Sequence, residues 1–278
     1  MKSLAHISDL HFGTEIPQLA EALRAELVAN PPSLVVISGD LTQRARSGQF
    51  ALAKAYLATL PSPQLVVPGN HDIPLYDVTR RFFAPLTRYR SFICEELDPV
   101  FDDGELCVVG INTARSLTWQ NGRISIQQID ALRERLASTK AVHKVVVTHH
   151  PFIPPPAEDS DQGGIDLVGR ATRAMQILDA CRVDLLLAGH LHHGYSGDTR
   201  TQYPAAHRAI ICAQAGTAIS GRVRGDPNGY NRITLDGDRL AIEVRTWRGG
   251  RFETLRVTEY GRGESGWAEK DATKKRRS

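Results

Sequence analysis

The chain has 278 residues, of which 41% are apolar and 23% charged, an ordinary composition for a water-soluble protein with one large core or two smaller ones. Its formal net charge of +3 comes from the last 18 residues, with six Lys or Arg against three Asp or Glu, so the remaining chain balances to zero, which weakens a polyanion-binding reading. No apolar run approaches the roughly 18 residues that a membrane-spanning helix needs.

The N-terminal "MKSLAHISDLHF" carries His and Asp inside its apolar run and reads as a first strand, not a signal peptide. Cys94, Cys107, Cys181 and Cys212 are widely spaced and read as free thiols, so a cytoplasmic protein is expected. Strands are predicted at 3–8, 34–38 and 64–67. The helices between them run over 15–29, stopped by Pro31 and Pro32, and over 47–59. That β-α-β-α-β order implies a parallel sheet core. A helix over 75–92 is broken near Pro85, and its aromatic face is expected to pack on the core. A hairpin follows at 100–104 and 106–112. The helix over 125–137 opens on Ser125 with Gln128 at the capping-box position. Strands at 144–150 and 183–193 flank a helix at 170–181. The run 208–216 and a hairpin over 230–249, turning at Asp236-Gly237, complete the sheets. The fold class expected is α/β (α+β): two mixed sheets face to face with helices outside, in one domain over 1–250. Residues 251–278 are expected to be a polar, largely disordered basic tail.

Five of these strands end in residues able to bind metal. The ends carry Asp9 and His11; Asp40; Asn70, His71 and Asp72; His149 and His150; and His190, His192 and His193. Ligands in open α/β sheets bind beyond the carboxyl ends of strands. Asp9 with His11, and His190 with His192, stand two apart and would share a face if the strands continued. Gly39, Gly69 and Gly189 each precede a candidate ligand and would allow a sharp turn. Taken singly, Asp9 or Asp40 reads as a helix N-cap and His11 or His149 as a loop residue. Such readings do not account for the set. Carboxylate and imidazole ligands without thiolate suit Mn, Fe, Zn or Co better than Mg alone. Seven strong candidates suit two ions sharing one carboxylate. His6, His143 and His207 lack such partners and read as structural.

The motifs "DLH", "GD", "GNHD", "HH" and "GHLH", in that order over residues 8–193, resemble the signature of the calcineurin-like metallophosphoesterase superfamily. Within it the chain is most similar to bacterial class III cyclic-nucleotide and glycerophosphodiester phosphodiesterases. The resemblance implies a four-layer sandwich and two divalent metal ions, Mn or Fe foremost and Zn or Co as alternatives. It assigns Asp9, His11 and His192 to the first metal, Asp40 as the bridge, and Asn70, His149 and His190 to the second. His71 would be the catalytic group that contacts the phosphoryl oxygens and protonates the leaving oxygen, and a metal-activated water would attack. His150 is expected to face away from the metals, in a supporting or substrate-facing place. Asp72 either orients His71 or caps the turn. Gln43 stands where the protein-phosphatase branch has Asp, which argues against that activity and leaves the orienting partner of His71 open.

The expected activity is hydrolysis of small phosphodiesters. The alternatives are a lipid-precursor pyrophosphohydrolase of the UDP-diacylglucosamine type, a nuclease, and a catalytically silent metal-binding interaction module. The expected partner is a small-molecule phosphodiester. Nucleic acid is disfavoured by the charge balance, a peripheral membrane contact through 78–92 is not favoured, and a homo-oligomer is compatible with the sequence. Asn112, Arg115, Trp119 and Asn121, the Pro-rich and acidic rim at 151–166, and the loops at 192–200 and 215–230 are the candidates for shaping specificity. Arg115 faces a second phosphate or a base, or else lies on the surface.

Overall fold

The computed structural model describes residues 1–118, 121–155 and 167–270. Trp119, all of the acidic part of the 151–166 rim, and the last eight residues lie outside them. The apolar runs of the first third form strands β1 (Lys2–Ile7), β2 (Leu34–Ser38) and β3 (Gln64–Val67), joined through helices α1 (Pro17–Ala29) and α2 (Ser47–Leu57). All three strands pair in parallel. Helices α3 (Val78–Phe83) and α4 (Thr87–Phe92) follow, divided at Pro85, where the ring removes a backbone donor.

The second half supplies β4 (Val100–Asp102), β5 (Leu106–Gly110), α5 (Ile126–Ser138), β6 (His143–Val147), α6 (Ala171–Ala180), β7 (Leu185–Ala188), β8 (Ser196–Asp198) and β9 (Ile211–Gln214). The hydroxyl of Ser125 accepts from the backbone of Gln128 at the start of α5, as the capping box predicts. Strands β10 (Gly229–Asp236), β11 (Arg239–Arg248), β12 (Arg251–Gly263) and β13 (Gly266–Glu269) end the described chain.

Two sheets result, ordered β13-β12-β11-β10-β1-β2-β3 and β4-β5-β6-β7-β9-β8. Both are mixed: β10 runs antiparallel to β1, while β5, β6, β7 and β9 run parallel between antiparallel edges. Strand alternation explains the four layers. Leu34 and Val36 join Val108, Val145, Leu185 and Leu187 in the core between the sheets. Their neighbours Val35 and Ile37 turn outward onto Leu23 of α1 and Phe50 of α2. On the other side Val146 and Leu186 meet Leu132 of α5 and Met175 of α6. A strand buried on both faces must be apolar at every position, which is why these runs are continuous.

The tail begins later than the sequence predicts. Residues 251–270 are not a disordered extension; they form β12 and β13, the outer edge of the first sheet. Trp267 is fully buried and donates from Nε1 to Asp184 Oδ1 at 2.9 Å, pinning that edge to the start of β7. The aromatic face of 78–92 also differs from expectation. Tyr89 is buried, with its hydroxyl donating to Val66 O, yet Phe83 is 87% exposed and Phe82 48%. Tyr76 and Val78 lie open beside them. Among the described residues, no helix is long and apolar enough to cross a membrane.

Candidate metal centre

The carboxyl ends of β1, β2, β3, β6 and β7 converge where the two sheets meet. Backbone bonds lock the turns together: Asp9 N donates to Gly39 O, His11 N to Asp40 O, and Gly189 N to His149 O. Asp9, His11, Asp40, His190 and His192 all have positive φ, between 45° and 76°. The strands therefore do not continue through these residues, and the shared face expected from their spacing is replaced by left-handed turns. That conformation costs an L-residue about 1–2 kcal/mol, so each ligand position is held against its own preference.

The side chains gather around two points joined by Asp40. At the first, His11 Nε2 lies 3.6 Å from both Asp9 Oδ1 and Asp40 Oδ2, and His192 Nε2 lies 3.7 Å from Asp9 Oδ1. The His11 and His192 rings stack at 5.1 Å. At the second, His149 Nε2 lies 3.4 Å from Asp40 Oδ1 and 3.1 Å from Asn70 Oδ1, and His190 Nδ1 lies 3.1 Å from the same Asn70 oxygen. All seven expected ligands are thus brought together.

Hydrogen-bond chemistry decides which ring atoms face inward. His149 Nδ1 must donate to Ser38 O at 2.7 Å, so Nε2 is the ring atom turned towards Asp40 and Asn70. Thr217 Oγ1 donates to Arg222 O and therefore accepts from His192 Nδ1, both at 2.7 Å. His192 Nε2 is left as an acceptor facing Asp9. Acceptors facing acceptors need a cation between them. His11 is fully buried and neither ring nitrogen makes a hydrogen bond; nor does Asp9 Oδ1. Bonds of about 2.1 Å to a shared ion place neighbouring donor atoms about 3.0–3.5 Å apart, close to the separations seen. The donor set fits divalent metal binding.

The charges agree with this reading. Burial works to raise Asp9 and Asp40, but His192 and His11 around the first and His149 and His71 around the second hold both carboxyls below the usual range. Burial would lower His149, yet the Asp40 carboxylate outweighs it and holds the ring up at about 9, so a metal ion would take the place of the Nε2 proton that faces Asp40. Burial, reinforced by the His149 charge, takes His190 down to about 3. Burial also lowers His192 to about 4, against the pull of Asp9. His190 and His192 are therefore neutral and able to ligate at physiological pH.

His71 stands beside the gathered ligands. Its ring meets His11 edge-on at 4.9 Å. Its Nδ1 donates to the backbone oxygen of Gln43 at 2.9 Å, leaving Nε2 to accept from Arg222 Nη1 at 2.9 Å. The partner left open by the sequence is thus the Gln43 carbonyl, which any residue there would supply. Asp72 takes the capping role: its carboxylate accepts from Leu41 N, Thr42 N, Thr42 Oγ1 and Gly69 N. Burial pushes His71 below its ordinary value. A cavity of about 250 Å³ opens in front of this ring, lined by Arg44, Asn70, Arg81 and Arg222 among others.

Two sequence expectations are refined, and three residues of the site were not anticipated. His150 takes the supporting place expected of it but turns towards the gathered ligands, not away: it is fully buried, its ring lies 4.6 Å from that of His190, and its Nδ1 meets Thr113 Oγ1 at 2.7 Å. Arg115 is not a plain surface arginine; it donates to Asn112 O, Ala114 O and Gln128 Oε1, tying its loop to α5. Arg222, Arg44 and Thr217 were not singled out at all. Arg222 and Thr217 lie in the 215–230 loop, a mixed Gly-rich and polar segment in which neither residue carries a motif.

The calcineurin-like phosphoesterase family pattern matches residues 2–194. A glycerophosphodiester phosphodiesterase, GpdQ, of Enterobacter lignolyticus is 36% identical over 80 residues, 25% of this chain and 29% of that protein. A probable cyclic nucleotide phosphodiesterase of Rhodococcus erythropolis is 26% identical over 204 residues, covering 68% of this chain and 64% of the relative. In both, the match spans less than two-thirds of the relative's length. A cAMP/cGMP dual specificity phosphodiesterase of Mycobacterium tuberculosis is 24% identical across 89% of this chain and 80% of its own. Among solved structures, PhoD superposes with a TM-score of 0.73 at 12% identity over 97% of this chain and 71% of its own. The purple acid phosphatase PPD1 of yellow lupin seeds gives 0.66 at 15% identity over 91% and 52%. These likenesses support the fold, and the family match covers every strand end that carries a candidate ligand: the chain belongs to the calcineurin-like phosphoesterase family.

Proposed function

We propose that the chain is a dinuclear-metal-dependent phosphodiesterase that hydrolyses small phosphodiesters of the cyclic-nucleotide or glycerophosphodiester type. The observation that carries this reading is the pair of acceptor clusters sharing Asp40, with His71 Nε2 and the Arg222 guanidinium facing the same small cavity. Asp9, His11 and His192 would hold one ion and Asn70, His149 and His190 the other, with Asp40 contributing to both. Mn and Fe are the foremost metals for this nitrogen and oxygen set, with Zn and Co as alternatives. Two such ions supply charge neutralisation at the phosphoryl oxygens and a nucleophilic water at neutral pH.

The chain's own groups do the rest. Arg222 pairs with a phosphoryl oxygen, and its guanidinium is held near the cavity by Gln43 Oε1 at 3.3 Å. His71 is fixed through Nδ1, so any proton it exchanges with the leaving oxygen passes through Nε2. The cavity suits a small ester better than a polymer, which weighs against a nuclease. The names of the relatives support diester over monoester hydrolysis. The open apolar surface at Tyr76, Val78 and Phe83 favours one second reading, a lipid-precursor pyrophosphohydrolase.

The test is activity of Mn-loaded protein on bis-p-nitrophenyl phosphate, p-nitrophenyl phosphate, cyclic AMP and a lipid pyrophosphate. Turnover of the diesters is expected. Monoester turnover alone would overturn the assignment, and lipid pyrophosphate turnover alone would move it to the second reading. Metal content of Asp40→Ala and His192→Ala should fall well below that of the parent protein; full occupancy in both would rule out the shared two-ion site.

A further inference from the structure

A second cavity, of about 540 Å³, lies next to the cleft. Arg115, Arg123 and Arg170 line it with Ser125, and Phe82 and Leu117 form its apolar side. Among the described residues no carboxylate lines it, and none of the three guanidiniums forms an ion pair. The arginines are placed by backbone. Arg123 sits on a short bridge to Gly169, and Arg170 reaches back to Ile124 O at 2.9 Å. Arg115 is anchored by its bonds to Asn112 O and Ala114 O. Burial first, then the neighbouring charges of Arg123 and Arg170, lower the Arg115 pKa against the pull of Asp98. Three like charges held together relieve their repulsion by binding an anion.

The cavity shares a wall with the cleft. Arg81, which lines the cleft, donates to Ser116 O at 2.9 Å and to Thr118 O at 3.4 Å, and residues 116–118 line the second cavity. On the other flank, Arg123 N donates to Thr113 O, and Thr113 Oγ1 touches His150 beside the gathered ligands. Thr113 thus links the backbone beneath Arg123 to the shell of the candidate metal centre.

We propose that this cavity is an anion subsite that takes a further phosphate group carried by one alcohol of the diester, with Phe82 and Leu117 against that alcohol's apolar or aromatic body. The proposal rests on the phosphodiesterase reading and narrows its substrates to diesters bearing a second phosphate. A matched pair tests it: thymidine 5′-(p-nitrophenyl phosphate) and the same compound phosphorylated at its 3′ oxygen. The phosphorylated diester should be preferred about tenfold in kcat/KM, the size of one charge-assisted hydrogen bond. Arg123→Gln should bring that ratio towards one, and Arg123→Lys should retain part of it. A ratio of one in the parent protein, or the same ratio in Arg123→Gln, overturns the subsite. If neither diester is turned over, the phosphodiesterase reading fails and calorimetry still decides the subsite. Inorganic pyrophosphate should then bind the Mn-loaded parent at two sites and the Arg123→Gln/Arg170→Gln protein at one. A single site in both proteins overturns the proposal.

Discussion

At the scale of single residues, the candidate metal centre depends on groups that would not themselves touch an ion. Thr217 fixes the tautomer of His192 because its own hydrogen is committed to Arg222 O. Thr217→Val keeps the volume and removes the acceptor, so the proton on His192 is free to move to the ligating nitrogen. Metal affinity should fall about 10–100-fold, as for other groups that orient a ligating imidazole, while Thr217→Ser should restore it. Competition with a fluorescent chelator measures this. Asp72 acts differently. Its carboxylate satisfies three buried backbone donors from two strand ends, and its pKa is pushed up to about 6 by burial and by Asp40. Asp72→Ala would leave those donors unpaired at about 1–3 kcal/mol for each buried group. A loss of several kcal/mol in urea unfolding is expected, and a loss below about 1 kcal/mol would show that water replaces the carboxylate.

At the scale of elements, the site is a set of strand endings, and the close crossing of those endings dictates glycine. A Cβ on Gly189 would meet Asp9 Oδ2 at 2.7 Å and collide with Ser8 Oγ; one on Gly39 would meet the His149 ring at 2.6 Å, at a φ of +95°. Gly189→Ala should therefore displace Asp9, lower the melting temperature and reduce metal content together; normal metal content with a lowered melting temperature would separate packing from ligation. The same endings explain what the sequence made legible. Strands buried on both faces are mostly apolar, with His6 and Ser38 the buried polar members of β1 and β2, so the Asp, Asn and His residues just beyond each run stand out, and the seven expected ligands were read this way. The Gln43 carbonyl that orients His71 has no such mark, because a backbone oxygen belongs to any residue. Arg222 lay hidden in a loop that also contains Arg224. Strand β12 was missed because few of its residues are buried: Phe252 and Tyr260 lie inside, while Leu255 and Val257 face outward. A strand with so little buried alternation carries no period to follow. Trp267 was the one signal of its neighbour. Trp267→Ala should cost about 3–5 kcal/mol in denaturant unfolding, since it removes a fully buried ring and its bond to Asp184. An effect near zero would mean that the edge is dispensable.

At the scale of the whole molecule, one buried polar chain crosses from sheet to sheet just behind the site. His6 on β1 shares a hydrogen bond with Ser38 Oγ on β2 at 2.9 Å, and Asn231 Nδ2 on β10 donates to Gln214 O on β9 at 2.9 Å. Asn231 Nδ2 also lies 3.4 Å from His6 Nδ1, so that nitrogen is an acceptor and the folded ring is neutral. Burial takes the His6 pKa from 6.5 down to about 3, and the distant Asp9 charge only partly opposes it. The unfolded chain binds a proton at His6 below about pH 6.5, whereas the folded chain does so only near pH 3. Between those values the unfolded state holds more protons, so stability rises with pH and is lost on acidification. The loss from this ring alone approaches 1.4 kcal/mol per pH unit in the middle of that window. His6→Gln keeps a donor and an acceptor but does not titrate. Its stability at neutral pH should be lower, through imperfect packing, while its slope of unfolding free energy against pH between 6 and 4 should be shallower than that of the parent. Urea titrations at several pH values read both quantities, and parallel slopes in the two proteins would show that other buried groups carry the acid sensitivity.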